Sequence, residues 1–187
     1  MNKYFLVGIP RCGKSTLGKK VAEILELPFF DTDAMVCESL ELSDPMELMI
    51  ATMTGRFFQE QPPVLKKLKE HKGVAIIATG AEVGLMPECV DMMMEMGTII
   101  YLERSADLIL ELIKRIPQEV IVEYNGVVID DRKECIVGYA KEISQYEDIA
   151  DVTIDNNGSE EEGAIRLVDV IKQCMQNYDD RQVTVSR

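Results

Sequence analysis

The sequence predicts an α/β fold of three layers, in which helices cover both faces of a five-stranded parallel sheet. Two observations support this prediction. Short apolar runs of strand length alternate along the chain with stretches of helical periodicity. A glycine-rich turn also lies between the first apolar run and the first helical stretch, at residues 8–16. A strand, a glycine-rich turn and a helix in this order are typical of phosphate-binding α/β folds.

Five apolar runs have the length and composition of buried strands. They are Tyr4–Val7, Pro28–Phe30, Val74–Ala78, Thr98–Leu102 and Val152–Ile154. Because helical segments separate these runs, we expect the strands to be parallel and covered on both faces.

Apolar residues at helical spacing predict three helices that pack on the sheet. Their stripes are Leu17, Val21, Ile24 and Leu25; Leu108, Leu112 and Ile113; and Val168, Ile171 and Met175. Pro62 and Pro63 interrupt the region 51–72, and we expect a helix to restart there, since proline breaks a preceding turn. Val64, Leu65 and Leu68 would then face inward.

The length predicts one domain over residues 1–177, followed by a polar tail, 178–187, that we expect to fray. A segment of about 115–131 contains proline and Asn-Gly but no helical stripe. It is long for a connection within a domain, so we interpret it as a mobile lid.

Composition excludes several classes of function. The net charge is −13, which disfavours nucleic acid and anionic membranes as partners. The five cysteines are widely spaced without a CxxC pair, which argues against disulfides and a zinc site. With no signal peptide or membrane span evident, we expect a cytoplasmic monomer that binds small molecules.

The turn from Gly8 to Thr16 matches the phosphate-loop motif G-x-x-x-x-G-K-[ST]. Its glycines let backbone amides turn toward a phosphate, Lys14 reaches the β- and γ-phosphates, and the Ser15 hydroxyl binds Mg²⁺. We therefore expect ATP to be bound by Pro10, Arg11, Cys12, Gly13, Lys14, Ser15 and Thr16. For the Arg11 side chain, we favour a position in solvent over one near the phosphates.

Asp31 and Asp33 follow the second predicted strand, at the edge of the sheet where α/β folds bind ligands. In an extended segment their side chains face the same way. Asp31 is a candidate for holding Mg²⁺ or its water, and Asp33 for accepting the proton of a substrate hydroxyl. Either could instead cap the helix that follows.

These residues resemble the shikimate kinase family of P-loop kinases. The resemblance rests on the phosphate loop and on four further segments: 27–33, 78–80, 97–102 and 146–151. It implies a strand order of 2-3-1-4-5, a substrate-binding helical insert over about residues 33–72, and a lid over ATP. It further implies that Lys14 and Asp33 are catalytic, that Ser15 and Asp31 bind the metal, and that Asn156 lies in the adenine loop.

Departures from the family pattern fall on the acceptor side. The family motif Gly-Glu-x-x-Phe-Arg-x-x-Glu contains an arginine that binds the shikimate carboxylate, and the best alignment places Gln59 there. The second carboxylate-binding arginine aligns with Glu142. Arg56, one helical turn from Gln59, either replaces one of these contacts or is a solvated surface residue.

Two further family motifs are altered. A Gly-Gly-Gly turn that contacts shikimate reads Gly80, Ala81 and Glu82, which remain candidates for binding the acceptor. The lid motif Arg-Pro-Leu-Leu is missing, which leaves Arg115 or Arg132 as the lid arginine.

We therefore predict an ATP- and Mg²⁺-dependent kinase that phosphorylates a hydroxyl of a small metabolite, either shikimate or a less anionic acceptor. A regulatory protein that binds nucleotide without phosphotransfer is the first alternative. A nucleoside-triphosphate-hydrolysing switch is less consistent with the sequence, because no second strand ends in residues that would orient water.

Overall fold

A computed structural model describes the backbone of residues 3–114, 122–124, 127–129 and 143–185, and the side chains of 3–111 and 143–177. Arg115, Arg132, Glu142 and most of the predicted lid lie outside these residues.

The main sheet has five parallel strands in the spatial order β2-β3-β1-β4-β7. The strands are β1 (Lys3–Val7), β2 (Phe29–Asp31), β3 (Ala75–Ala78), β4 (Gly97–Glu103) and β7 (Val152–Asp155). All five predicted strands are present. Because β7 is the fifth strand of this sheet along the chain, the order is the 2-3-1-4-5 order that the resemblance implied. β1, at the centre, is fully buried. Two short antiparallel strands, β5 (Val122–Tyr124) and β6 (Val127–Ile129), form a separate pair within the segment interpreted as a lid.

Helices occupy most of the remaining described chain. They are α1 (Lys14–Leu25), α2 (Thr32–Ser39), α3 (Pro45–Met53), α4 (Arg56–Gln59), α5 (Gln61–Glu70), α6 (Pro87–Met96), α7 (Ala106–Lys114), α8 (Ile143–Ile149) and α9 (Glu160–Val185). A short 3₁₀ turn, Ala81–Leu85, follows β3. The four helices α2 to α5 form the predicted insert between β2 and β3.

Helix α1 packs its phosphate-loop end closely against the sheet. A Cβ atom at Gly18 would lie 2.9 Å from Leu6 and 2.8 Å from Phe29, so only glycine fits there. Leu17 and Val21 are buried as predicted, but Ile24 is 55% exposed. The inward stripe runs instead through residues 17, 18, 21 and 22. The prediction for Ile24 was therefore wrong, because the small Gly18 and Ala22 belong to the packed face.

The insert has its own small core, formed by Val36, Ala51, Phe57 and Val64. Helix α5 begins at Gln61, which places both prolines in its first turn, where the missing amides cost nothing. Val64, Leu65 and Leu68 are buried, as predicted.

The last helix continues through Val185, so the tail that we expected to fray from residue 178 is helical in its backbone. No glycine or proline occurs between residues 177 and 185, and the sequence therefore lacks a signal that would end the helix earlier.

Candidate active site

One cleft of about 950 Å³ opens at the carboxyl edge of the sheet. The phosphate loop, Arg104 and the residues after β7 form what we call its nucleotide end. Asp33 of α2, Thr52 of α3, helix α4 and the 3₁₀ turn form its acceptor end, and the buried Gln61 of α5 contacts Asp33 and Glu82 from outside the lining. The lining residues are Pro10, Arg11, Gly13, Lys14, Ser15, Thr16, Leu17, Asp33, Thr52, Phe57, Phe58, Thr79, Ala81, Glu82, Arg104, Asn156, Gly158, Ser159 and Glu160.

Glycines shape the phosphate loop because its backbone takes positive φ angles. Gly8 has φ 141° and Gly13 has φ 107°. A Cβ atom at Gly8 would lie 2.9 Å from both Cys12 Sγ and the Leu102 carbonyl oxygen. Arg11 also has a positive φ, of 63°, and its side chain is exposed at the rim of the cleft. This agrees with the solvent position that we favoured.

Lys14 is the first residue of α1, and its ammonium group curls back over the loop. Nζ donates hydrogen bonds to the carbonyl oxygens of Gly8, at 2.8 Å, and Ile9, at 3.0 Å. The residue is only 8% exposed. A buried cation held against the phosphate loop is placed to bind phosphate oxygens.

Asn156 fixes the phosphate loop from the far side. Its Nδ2 donates to the Cys12 carbonyl oxygen at 2.7 Å, and its backbone amide donates to Glu103. The side chain is 3% exposed and lines the cleft. The sequence predicted a residue of the adenine loop, whereas the contact seen here is a clamp between the end of β7 and the loop.

The two carboxylate oxygens of Asp31 have different hydrogen-bond partners. Oδ1 accepts from the backbone amides of Asp33, at 3.0 Å, and Ala34, at 3.3 Å, and so caps α2. Oδ2 accepts from the Ser15 hydroxyl at 2.6 Å. The capping alternative is therefore correct for Asp31, and its second oxygen still faces the predicted metal ligand Ser15.

Asp33 lies at the acceptor end beside another carboxylate. The buried Gln61 Nε2 donates to Asp33 Oδ1 and to Glu82 Oε1, each at 3.0 Å. Burial, and then the negative charge of Glu82, raise the pKa of Asp33 to about 6. A carboxylate with this pKa is suited to accept a proton near neutral pH.

Gly80 and Ala81 hold the acceptor end together through their backbones. The Gly80 amide donates to Thr32 Oγ1 at 2.9 Å, and the buried Tyr146 hydroxyl donates to the Ala81 carbonyl oxygen at 3.0 Å. A Cβ atom at residue 80 would be closer than van der Waals contact to Asp33 Oδ1. This glycine therefore provides the space that Asp33 occupies.

The structure does not bring Arg56 and Gln59 into the cleft. Both are exposed, and Arg56 instead borders a smaller cavity of about 200 Å³ with Glu41 and Glu47. Helix α4 is a single turn, so neighbouring residues point in very different directions. Phe57 and Phe58 are the residues that face the cleft.

These positions favour an alignment shifted by one residue from the one that the sequence suggested. The shift places Phe57 on the Phe of the family motif, Phe58 on its Arg and Gln61 on its final Glu. It has a physical basis, since Phe57 is buried in the core of the insert and Gln61 reaches Asp33. In either alignment the arginine is missing.

Sequence reasoning missed Arg104, which lines the cleft, and Gln61, which is buried beside Asp33 and Glu82. Gln61 was hidden by the choice of alignment. Arg104 follows β4 directly, and a search of every predicted strand end for polar residues would have found it. Its buried Nε has no hydrogen-bond partner within the described part of the chain.

Among the described helices, none is both long enough and apolar enough to cross a membrane. The described residues likewise contain no cluster of three or more His, Cys, Asp or Glu side chains that could hold a metal ion without other ligands.

Comparisons with known proteins agree with this geometry. The family model for shikimate kinase matches residues 10–172. A shikimate kinase of Enterococcus faecalis is 27% identical over 174 residues, which cover 92% of this chain and 100% of that protein. The crystal structure of shikimate kinase from Aquifex aeolicus is 26% identical, with a TM-score of 0.65, over 89% of this chain and 94% of that one.

A second solved structure, shikimate kinase from Acinetobacter baumannii in complex with shikimate, has the same fold. Its TM-score is 0.70 at 21% identity, and the match covers 97% of this chain and 94% of that chain.

Proposed function

The chain belongs to the shikimate kinase family, and from that premise we propose how its cleft transfers the γ-phosphoryl group of ATP to a hydroxyl of shikimate or a related small metabolite. The observation that supports the proposal best is the convergence of Lys14, Ser15 and Asp33 on one cleft, with Asp31 hydrogen-bonded to Ser15. A cation and a hydroxyl at a helix N-terminus suit the donor, and a partly buried carboxylate suits the acceptor.

Asp33 is the proposed base. The acceptor oxygen forms a bond to the γ-phosphorus while the bond from that phosphorus to the oxygen bridging it to the β-phosphate breaks. The hydroxyl proton passes to Asp33 and then to solvent, and ADP leaves. Lys14 exchanges its bonds to the loop carbonyls for bonds to phosphate oxygens, and so compensates the charge that the transfer moves.

Ser15 and Asp31 would hold Mg²⁺. Their oxygens are 2.6 Å apart at the N-terminus of α1, and hard oxygen donors of this kind suit that ion. Two protein oxygens also fit a metal that takes its remaining ligands from water and phosphates. When bound, Mg²⁺ neutralises phosphate charge.

Arg104 is a further candidate for binding the nucleotide, beside the predicted Arg115. Its guanidinium lines the nucleotide end, and its Nε has no hydrogen-bond partner among the described residues. A buried donor without a partner is costly unless a ligand satisfies it. Arg104→Gln is expected to raise KM for ATP about tenfold, whereas the same change at Arg166, which is exposed on α9, is expected to leave KM unchanged. An unchanged KM in Arg104→Gln would remove the residue from the site.

A cytoplasmic location and a monomeric state remain part of the proposal. The four described cysteines are unpaired, which is the pattern expected in a reducing compartment. Size-exclusion chromatography with light scattering would test the monomer.

The test of the function is acceptor-dependent release of ADP, measured with shikimate and with a panel of polyols. We expect turnover that falls about 10²- to 10⁴-fold in Asp33→Asn, because the base is lost, while ADP binding measured by calorimetry is unchanged. Asp44→Asn is the matched control, since Asp44, like Asp33, is a carboxylate at the start of a helix, but it lies away from the cleft. ATP binding without turnover of any acceptor would instead support the regulatory alternative.

A further inference from the structure

Among the described residues that line the acceptor end of the cleft, Asp33 and Glu82 are acidic and none is basic. We propose that the acceptor is a hydroxyl compound without a negative charge, either neutral or cationic, rather than a carboxylate. This inference rests on the proposed function, because it concerns the substrate of the same phosphotransfer. Two features of the acceptor end support it: its carboxylates and its aromatic wall.

Two carboxylates already lie close together at this end. Asp33 and Glu82 accept hydrogen bonds from the same nitrogen of Gln61, each at 3.0 Å. Because both side chains are acidic and share one donor, the field at this point opposes a further negative charge. The carboxylate of an acceptor would add a third like charge, which makes its binding unfavourable.

The cations of the described cleft lie away from the acceptor end. Within the described part of the cleft, the basic side chains belong to the nucleotide end: Arg11, Lys14 and Arg104. Loss of one charge-assisted contact weakens binding by about tenfold or more.

Two aromatic side chains, Phe57 and Phe58, form one wall of the acceptor end. Phe57 and Phe58 both line the cleft, and their rings meet edge to face, with centroids 6.1 Å apart at 85°. An aromatic face packs well against the C–H face of a polyol ring, and it attracts an ammonium group through the ring quadrupole. The same face repels a carboxylate, because the ring quadrupole is negative there.

The experiment is a charge series on one carbon skeleton. Its members are shikimate, the methyl ester of shikimate, and the amine in which an aminomethyl group replaces the carboxylate. We expect kcat/KM for the ester and the amine to be about tenfold or more above that for shikimate. A value for shikimate equal to or above both others would overturn the inference. An amine that exceeds the ester would show that the site selects a cation.

Two variants separate charge selection from a general change in the site. Phe58→Arg is expected to raise kcat/KM for shikimate relative to its ester about tenfold, and Gln59→Arg, one residue along and outside the cleft, is expected to change this ratio little. Glu82→Gln should shift the ratio in the same direction, and it avoids placing a charge against the core of the insert. Two outcomes would contradict the inference. In the first, the ratio of kcat/KM for shikimate to that for its ester changes equally in Phe58→Arg and Gln59→Arg. In the second, this ratio changes in neither Phe58→Arg nor Glu82→Gln.

Failure of the proposed function would look different. In that case neither the wild type nor Phe58→Arg would phosphorylate any of the three compounds, although ATP binds. Calorimetry on the ADP-loaded protein would then decide the inference by itself. Tighter binding of the ester and the amine than of shikimate supports it, and equal, absent or reversed binding overturns it.

Discussion

At the nucleotide end of the cleft one contiguous loop supplies most of the binding groups, whereas the acceptor end is assembled from four separate elements. Backbone amides, Lys14 and Ser15 all lie within a few residues of one another in sequence. Asp33 comes from α2, Phe58 from α4, Gln61 from α5 and Glu82 from the 3₁₀ turn. The nucleotide end matches the motif of its family, and the acceptor end departs from it.

The difference shows which kind of site tolerates change. A loop that binds through its backbone depends on its glycines and on one cation. Substitutions at these positions are therefore expected to weaken phosphate binding for any acceptor. An acceptor site that binds through side chains can change its preferred charge with one substitution and leave the donor in place. The following predictions test this division, beginning with the largest expected effect.

Lys14→Met should lower kcat about 10²- to 10³-fold, because the cation that faces the transferring phosphate is lost. Lys20→Met is the control, since Lys20 lies on the same helix, pairs with Glu160 and does not itself line the cleft. Steady-state ADP release measures both variants. A Lys14→Met enzyme within a few-fold of wild type would mean that the loop amides suffice and that the nucleotide end is less dependent on this residue than proposed.

Gly80→Ala should damage the acceptor end alone. The added Cβ would overlap Asp33 Oδ1, and a displaced base is expected to lower kcat/KM for the acceptor about 10²-fold. The affinity for ADP, measured by calorimetry, should not change. Gly84→Ala in the same turn contacts the Tyr146 ring instead, so it serves as the control for a general loss of packing. Equal losses in the two variants would contradict a specific role of residue 80 beside the base.

Asn156→Ala should weaken ATP binding about five- to tenfold. It removes the donor to the Cys12 carbonyl oxygen, and such a buried contact contributes about 1 kcal/mol. Asn157→Ala is the matched control, because Asn157 accepts from the Ser105 amide and does not contact the phosphate loop. If KM for ATP rises equally in both variants, the loop is not held by Asn156 in particular.

The smallest effect concerns the pH profile. Asp33 accepts a proton only as the carboxylate, and its pKa is raised to about 6, so kcat/KM for the acceptor should fall as the pH drops through about 6. Glu82→Gln removes one cause of the raised pKa and should move this midpoint to lower pH. Glu88→Gln, on the surface of α6, should leave it in place. A midpoint that stays fixed in Glu82→Gln would show that Asp33 does not titrate in this limb.

The sequence allowed the sheet and the nucleotide end to be predicted because both depend on local patterns. The five apolar runs are strands, and the spacing of the loop motif places Lys14 and Ser15 at the start of α1. Asp31 was predicted from its position at the end of an apolar run, and it is the last residue of β2. Each of these predictions needs only one segment of chain.

The acceptor end needed information that one segment does not contain. A shift of one residue in the single-turn helix α4 exchanges Gln59, which faces solvent, for Phe58, which faces the cleft, and periodicity cannot fix so short a helix. Gln61 could not be recognised from its own segment, because its hydrogen-bond partners Asp33 and Glu82 are 28 and 21 residues away in sequence. The prediction that Ile24 faces the core was wrong for a similar reason. The contact of Gly18 with the sheet, which one segment does not reveal, decides which face of α1 is inside.

The two bonds of Asp31 have a consequence for the entropy of ligand binding. Because Oδ1 caps α2, the fold already restricts the rotation of this side chain before any nucleotide arrives. Its Oδ2 is therefore presented to Ser15 and to the proposed metal in one orientation, and the rotamer freedom of the carboxylate is lost on folding rather than on binding. A preorganised ligand of this kind lets the donor site form at a lower entropic cost.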